Sequence, residues 1–253
     1  MGKIIAITNQ KGGVGKTTTA VNLAACLNYH GKKVLLCDFD PQGNATSSLG
    51  VTLGKHDLTS YEALIGTQRT ELTIKHTRHG DIMPCGMDLA GAEPELANMQ
   101  NREYKLREAL EQIRDKYDYI LIDCPPTLGL LTINAAAAAD SVLIPIQCEF
   151  LALEGVAQLI KVFKAVKANM NPKLEIEGVV LTMYDSRTNL SSQVAEEVKR
   201  YFGAKVYHTM IPRTVRLAEA PSFGKPVIEY DKYSRGAECY LSLAEELLSR
   251  NEK

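Results

Sequence analysis

The chain of 253 residues, 45% hydrophobic and 23% charged, has enough apolar material for one large α/β domain or two small ones. Its formal net charge of −1 excludes nucleic-acid binding by overall charge, so any such binding must come from a local patch. No apolar run approaches the roughly 20 residues needed to cross a bilayer, and the N-terminal MGKIIAIT is too short for a secretory signal.

In chain order, apolar and β-branched runs predict strands at 4–8, 34–39, 81–84, 119–123, 141–146, 178–183 and 206–211. Helical periodicity predicts helices at 16–29, 87–99, 102–116, 130–139, 153–170, 190–202 and 237–250. Between 50 and 80, LTSYEALIG and ELTIKH read as short helices with open boundaries. Strands alternating with helices predict a doubly wound, mostly parallel sheet with helices on both faces. With no linker or internal repeat, residues 1–253 read as one domain. The cysteines Cys26, Cys37, Cys85, Cys124, Cys148 and Cys239 form no C-x-x-C pair and lie mostly in apolar runs. They predict reduced core thiols of a cytosolic protein rather than a metal or iron–sulfur site.

Ligands of such sheets sit at the carboxyl ends of the strands. Four motifs begin there. After IIAIT comes NQKGGVGKTT, a phosphate loop in which Gln10 stands where the first glycine of G-x-x-x-x-G-K-[ST] is expected. Gly12, Gly13 and Gly15 let backbone N–H groups turn around an anion, and the helix start adds partial positive charge. Lys16 suits the β/γ-phosphates and the Thr17 hydroxyl suits Mg²⁺. A second lysine, Lys11, crowds the same positive helix end, which is unfavourable without further anions.

VLLCDFDPQGN follows the second strand and carries two carboxylates, Asp38 and Asp40, one expected to approach the nucleotide and the other to serve local structure. YDYILIDCPP ends its strand on Asp123, a carboxylate placed to hold Mg²⁺ through water. IPRTVRLAEAPSFGKPV offers Pro212 and the backbone around Thr214 as walls for a base, although ordinary loop is an equal reading of that segment alone.

Together with LLTINAAAAAD, CEFLALEG and RLAEAPSFGKP, these motifs resemble the ParA/Soj family of partitioning ATPases from Lys3 to the last helix, in the family's order and spacing. The resemblance is to the short chromosomal Soj type and to the deviant Walker A class. It implies nucleotide contacts by Lys11, Gly12, Gly13, Val14, Gly15, Lys16, Thr17 and Thr18. It further implies that Lys11 reaches the ATP of a second subunit, so that two ATP molecules bridge a homodimer. Asp40 then orients the attacking water, with Lys11 and Lys16 as catalytic cations. Basal hydrolysis is expected to be weak and to be stimulated by a ParB (Spo0J) partner.

Non-specific binding of double-stranded DNA, and a cytoplasmic, nucleoid-associated location, follow from the same resemblance. The positions carried over are Arg187 and Arg216, with Lys199, Arg200, Arg213 and Arg235 as companions. Of the alternatives, a MinD-like ATPase calls for a basic amphipathic tail, whereas GAECYLSLAEELLSRNEK is acidic and its Leu241, Leu243, Leu247 and Leu248 suit packing on the sheet. An iron protein calls for a bridging cysteine pair, and Cys124 directly after Asp123 departs from that spacing. A small-molecule ligase or kinase calls for a substrate pocket that no motif demands.

Overall fold

The computed structural model describes residues 1–150 and 152–251, apart from the side chain of Glu154. The strands are β1 (Lys3–Ile7), β2 (Val34–Asp38), β3 (Lys75–Thr77), β4 (Gly80–Met83), β5 (Tyr119–Asp123), β6 (Ser141–Gln147) and β7 (Glu175–Thr182). The first helices are α1 (Lys16–Tyr29), α2 (Asn44–Ser48), α3 (Ser60–Ile65), α4 (Ala92–Leu96), α5 (Lys105–Glu111) and α6 (Leu130–Ala138). They are followed by α7 (Glu154–Asn169), α8 (Asn189–Phe202), α9 (Val215–Glu219), α10 (Val227–Tyr230) and α11 (Arg235–Asn251).

The strands form one sheet in the order β3-β4-β2-β5-β1-β6-β7, parallel except for β3 against β4. Every residue of β2 and β5 is buried, which is why VLLCD and YILID read as continuous apolar runs rather than alternating ones. Alternation appears instead in the core each side chain joins. Ile4 and Ala6 pack with α5, α6 and α7, whereas Ile5 and Ile7 pack with α1 and α11. β6 accommodates Pro145 because β1 pairs with it only as far as Leu143. Beyond that point the missing N–H costs no ladder bond, and the Pro145 carbonyl accepts a hydrogen bond from the Asn9 side chain at 2.7 Å.

Several sequence expectations are corrected. The run 206–211 and the proline that follows it make only isolated bridges, Val179 to Val206 and Tyr184 to Pro212. Its end residues do donate to β7, Tyr207 N to Val179 O at 2.9 Å and Ile211 N to Leu181 O at 2.8 Å. The Glu246 carboxylate of α11, however, takes the His208 and Thr209 N–H groups, so no continuous ladder forms. The helix expected over 102–116 breaks into two 3₁₀ turns around α5, because the Asn134 side chain of α6 bonds Leu106 N and Arg102 O. The one expected over 87–99 is a 3₁₀ turn followed by α4. LTSYEALIG contains α3, opened by a capping box between Thr59 and Glu62, whereas ELTIKH is a 3₁₀ turn running into β3.

All six cysteines are free, and Cys239 alone is not fully buried. Burial pushes the Cys26 and Cys148 thiols up to about 12, which leaves them protonated and unreactive. In α11, Leu243 and Leu247 are buried, in a core shared with α1 as well as with the sheet, and Leu241 and Leu248 pack against its margin. No helix among the described residues is long and apolar enough to cross a membrane. The tail's last two residues, and Leu151 of CEFLALEG, lie outside the described residues.

Candidate functional site

The loop 9–15 joins β1 to α1 at the carboxyl edge of the sheet. Gly13 and Gly15 adopt φ of +74 and +86, a left-handed path that side chains disfavour and that turns successive N–H groups inward. Two contacts hold the loop to neighbouring strands, and one closes it locally. The Asn9 side chain spans from Pro145 O to Lys11 N, the latter at 3.0 Å, and Thr182 Oγ1 at the end of β7 donates to Val14 O at 2.8 Å.

The two lysines are handled differently. Lys16 is buried at 6% exposure, and its ammonium donates to Lys11 O at 3.2 Å. Burial lowers its pKa, while Asp123 and Asp40 work in the opposite direction. Lys11 stands half-exposed at the rim and forms an ion pair with Glu149, just beyond β6. Glu149 thus supplies an anion to the lysine that crowds the positive helix end. Glu149 was missed because it is remote from Lys11 in the chain and only the sheet order brings β6 beside the loop.

Asp123, at the tip of β5, is fully buried with neither carboxylate oxygen hydrogen-bonded. Burial pushes its pKa well above the usual carboxylate range, the Asp38 charge adds to this, and the nearby Thr17 hydroxyl and Lys16 ammonium oppose it. Thr17 is close to the carboxylate but outside hydrogen-bonding geometry. A buried orphan carboxylate beside a hydroxyl and a phosphate loop fits Mg²⁺, which keeps several waters and takes its remaining ligands from phosphates. No group of three or more His, Cys, Asp and Glu among the described residues is placed to hold a metal without such help.

Asp38 serves local structure. It accepts from Thr46 N at 2.7 Å and Thr46 Oγ1 at 2.6 Å, and Thr46 Oγ1 in turn accepts from Cys85 N at 2.9 Å. Burial raises its pKa to about 6 against these bonds. Asp40 lies beyond the end of β2, so strand alternation does not place it. Its carboxylate accepts from Gln42 N at 3.1 Å in a tight turn, and it lies near Lys16 and Asp123.

A pocket of about 530 Å³ opens beside the loop, lined by Gly15, Thr18, Met183, Pro212, Thr214 and Tyr240 among others. It is the right size and polarity for a nucleoside. The structure thus brings Pro212 and Thr214 to the phosphate loop, and the Thr214 side chain also caps α9 by accepting from Leu217 N at 3.3 Å. Met183 was missed as a lining residue. It carries φ +51 just past β7 rather than ending that strand.

The cations expected to meet DNA divide into groups. Arg187, Arg213 and Arg235 line one groove, and Arg187 is held by a bidentate pair with Asp185 at 2.9 and 2.7 Å. Arg216 lies outside that groove, paired with Glu219 at 2.9 Å and Asp231 at 3.1 Å beside the Tyr230 ring. Lys199 and Arg200 sit in the last turn of α8, and Arg200 faces Glu196 at 3.8 Å.

A parallel sheet with a glycine-rich loop, a buried lysine and a strand-end aspartate defines a phosphate-loop nucleotide hydrolase, and the second lysine places it in the deviant Walker A class. The AAA domain family matches residues 2–176. The sporulation initiation inhibitor protein Soj of Bacillus subtilis is 59% identical over 98% of this chain and 98% of its own length. The chromosome partitioning protein ParA of Myxococcus xanthus is 54% identical over 99% of this chain and 89% of its own. The chain belongs to the ParA/Soj family of partitioning ATPases.

Among solved structures, cobyrinic acid a,c-diamide synthase of Mycobacterium smegmatis with bound ADP and magnesium superposes with a TM-score of 0.89 at 38% identity, covering 100% of this chain and 96% of that one. The septum site-determining protein MinD of Pyrococcus horikoshii complexed with Mg-ADP gives 0.82 at 28% identity, over 98% and 96%.

Proposed function

We propose that this protein is an ATP-driven switch. It takes ATP and Mg²⁺ as cofactors, pairs with a second copy across the bound nucleotides, and holds double-stranded DNA without sequence preference in that state. Hydrolysis, accelerated by a ParB (Spo0J)-type partner, resets it. One observation carries the reading. The two lysines of one loop have separate stations, Lys16 buried against the loop and Lys11 at the rim on an exchangeable carboxylate.

Lys16 and the inward N–H groups bind the β/γ-phosphates of the protein's own nucleotide, and Lys11 leaves Glu149 for the phosphates of the other subunit. Thr17 and Asp123 hold Mg²⁺, which supplies charge neutralisation on the phosphates. Asp40 orients the attacking water once its turn releases Gln42 N, so an isolated subunit hydrolyses slowly. Nucleotide binding is thereby linked to assembly, since a ligand shared by two copies favours the pair by mass action.

Arg187, Arg216, Arg213 and Arg235, with Lys199 and Arg200, supply phosphate contacts that a dimer doubles, which supports a nucleoid-associated location. The packing of α11 into the core speaks against a MinD-like reading in which the tail enters lipid.

Light scattering with ATP on the wild type and on Lys11→Ala tests the assembly step. Dimers are expected only for the wild type, and a Lys11→Ala protein that pairs and hydrolyses normally would overturn the reading. DNA binding should be strong with ATP, persist in Asp40→Ala, and be weak with ADP. Equal binding with ADP and ATP would remove the switch.

A further inference from the structure

A small apolar cavity of about 150 Å³ lies between α7 and the start of β7, at the amino edge of the sheet. Its walls are Val142, Ile160, Phe163, Leu174 and Ile176, all buried except Ile176, which is partly exposed. The cavity coincides with an irregularity in the sheet. Val142 pairs with Ile176 and Leu143 with Gly178, so β7 carries one extra residue here, Glu177. A bulge of this kind bends its strand and interrupts the ladder. Glu177 does not fill the space, because its carboxylate is engaged by Lys3 and Ser141, each at 2.6 Å.

The rim is basic. Lys164 and Lys167 of α7 line the opening, and Glu175, the one carboxylate among the lining residues, pairs with Lys167 at 2.5 Å. Lys161, one turn earlier on α7, and Lys173, next to Leu174, add to the charge. Lys161, Lys164 and Lys173 are exposed and have no carboxylate partner among the described residues.

Volume and charge together select the occupant. An apolar cavity of this volume holds a group the size of benzene. Cofactor pockets run from about 300 Å³ upward, and the acyl chain of a membrane lipid is also too large. Nucleic acid brings anions but no apolar side group of that size. A peptide brings both, carboxylates for the lysines and one ring or branched side chain for the cavity.

We propose that the cavity and its lysine rim form a docking site for an acidic protein segment, which inserts one phenylalanine or leucine side chain between α7 and β7. The inserted side chain supplies affinity by leaving water in a closely packed pocket. Carboxylates on either side of it meet Lys161, Lys164 and Lys173, which steers the encounter and sets its direction. Glu175 competes with an incoming carboxylate for Lys167. The phosphate loop lies at the opposite, carboxyl edge of the sheet, so docking needs no nucleotide and stands apart from the switch reading.

The probe is an acetylated and amidated heptapeptide, Asp-Glu-Glu-Phe-Glu-Glu-Asp. It is titrated into the isotope-labelled full-length protein and followed by amide and methyl NMR shifts. Shifts are expected at Ile160, Leu174 and Ile176, alike with and without ADP. The same peptide with alanine in place of phenylalanine should bind at least about tenfold more weakly. Lys164→Gln should weaken the phenylalanine peptide and Glu175→Gln, which frees Lys167, should tighten it, each by up to about fivefold. Equal binding of the two peptides overturns the proposal, since charge alone then accounts for the contact. Absence of shifts at these residues, or unequal binding with ADP, overturns it as well. Displacement of the peptide by dodecanoate or by a short DNA duplex assigns the site to lipid or nucleic acid instead, and concentration-dependent shifts at the same residues without peptide assign it to a second copy. Each of these also overturns the proposal.

Discussion

At the scale of single residues, the site is dominated by charges that burial has made costly. Asp38 keeps its proton longer in the folded than in the unfolded chain, because burial raises its pKa to about 6 from 3.8. Its contribution to stability is complete below about pH 4 and is lost as pH rises through about 6, a change on the order of 3 kcal/mol. Denaturation of the nucleotide-free protein across that window should therefore show stability falling with rising pH, and Asp38→Asn should flatten the trend. Glu149 holds Lys11 in an ion pair that, on the proposed function, competes with the nucleotide of a second subunit. Half-exposed pairs of this kind are worth roughly 0.2–1 kcal/mol. Glu149→Gln should lower the ATP concentration at half-maximal dimerisation by up to about fivefold, read by light scattering.

At the scale of elements, the phosphate loop owes its shape to neighbours as much as to its glycines. Asn9 reaches β6 and Thr182 reaches back from β7, so strands remote in sequence fix where the N–H groups point. Thr182→Val leaves the buried Val14 carbonyl unpaired and should cost about 1–3 kcal/mol in denaturant unfolding. Nucleotide affinity should fall with it, measured by calorimetry. The same locality separates what was legible in the sequence from what was not. The phosphate loop, Asp123 and the parallel strands were legible because their chemistry and their apolar runs are contiguous. The contacts of Glu149, Met183 and Glu246 were not, since each depends on a partner brought near only by the sheet order. The broken helix around α5 was hidden for the same reason, as Asn134 intervenes from another element.

At the scale of the whole molecule, a nearly neutral chain concentrates the arginines proposed to contact DNA near one end of β7 and along the segment 213–235. The logarithm of DNA affinity should fall linearly with the logarithm of salt, by about 0.9 for each phosphate neutralised. Arg235→Ala should make that slope shallower by roughly 2 in an ATP dimer, one contact per protomer, without altering ATP-dependent pairing. The margins of the sheet bear on how copies can associate. On one side β7 is bordered by 206–212 through its bridges at Val206 and Pro212. On the other lies β3, only three residues long and carrying Lys75 and His76. Neither margin offers the long bare row of N–H and C=O groups on which strands of another molecule add. This protein is thereby protected against edge-to-edge aggregation, and any larger array must grow through side-chain surfaces, sensitive to salt and nucleotide rather than templated by backbone.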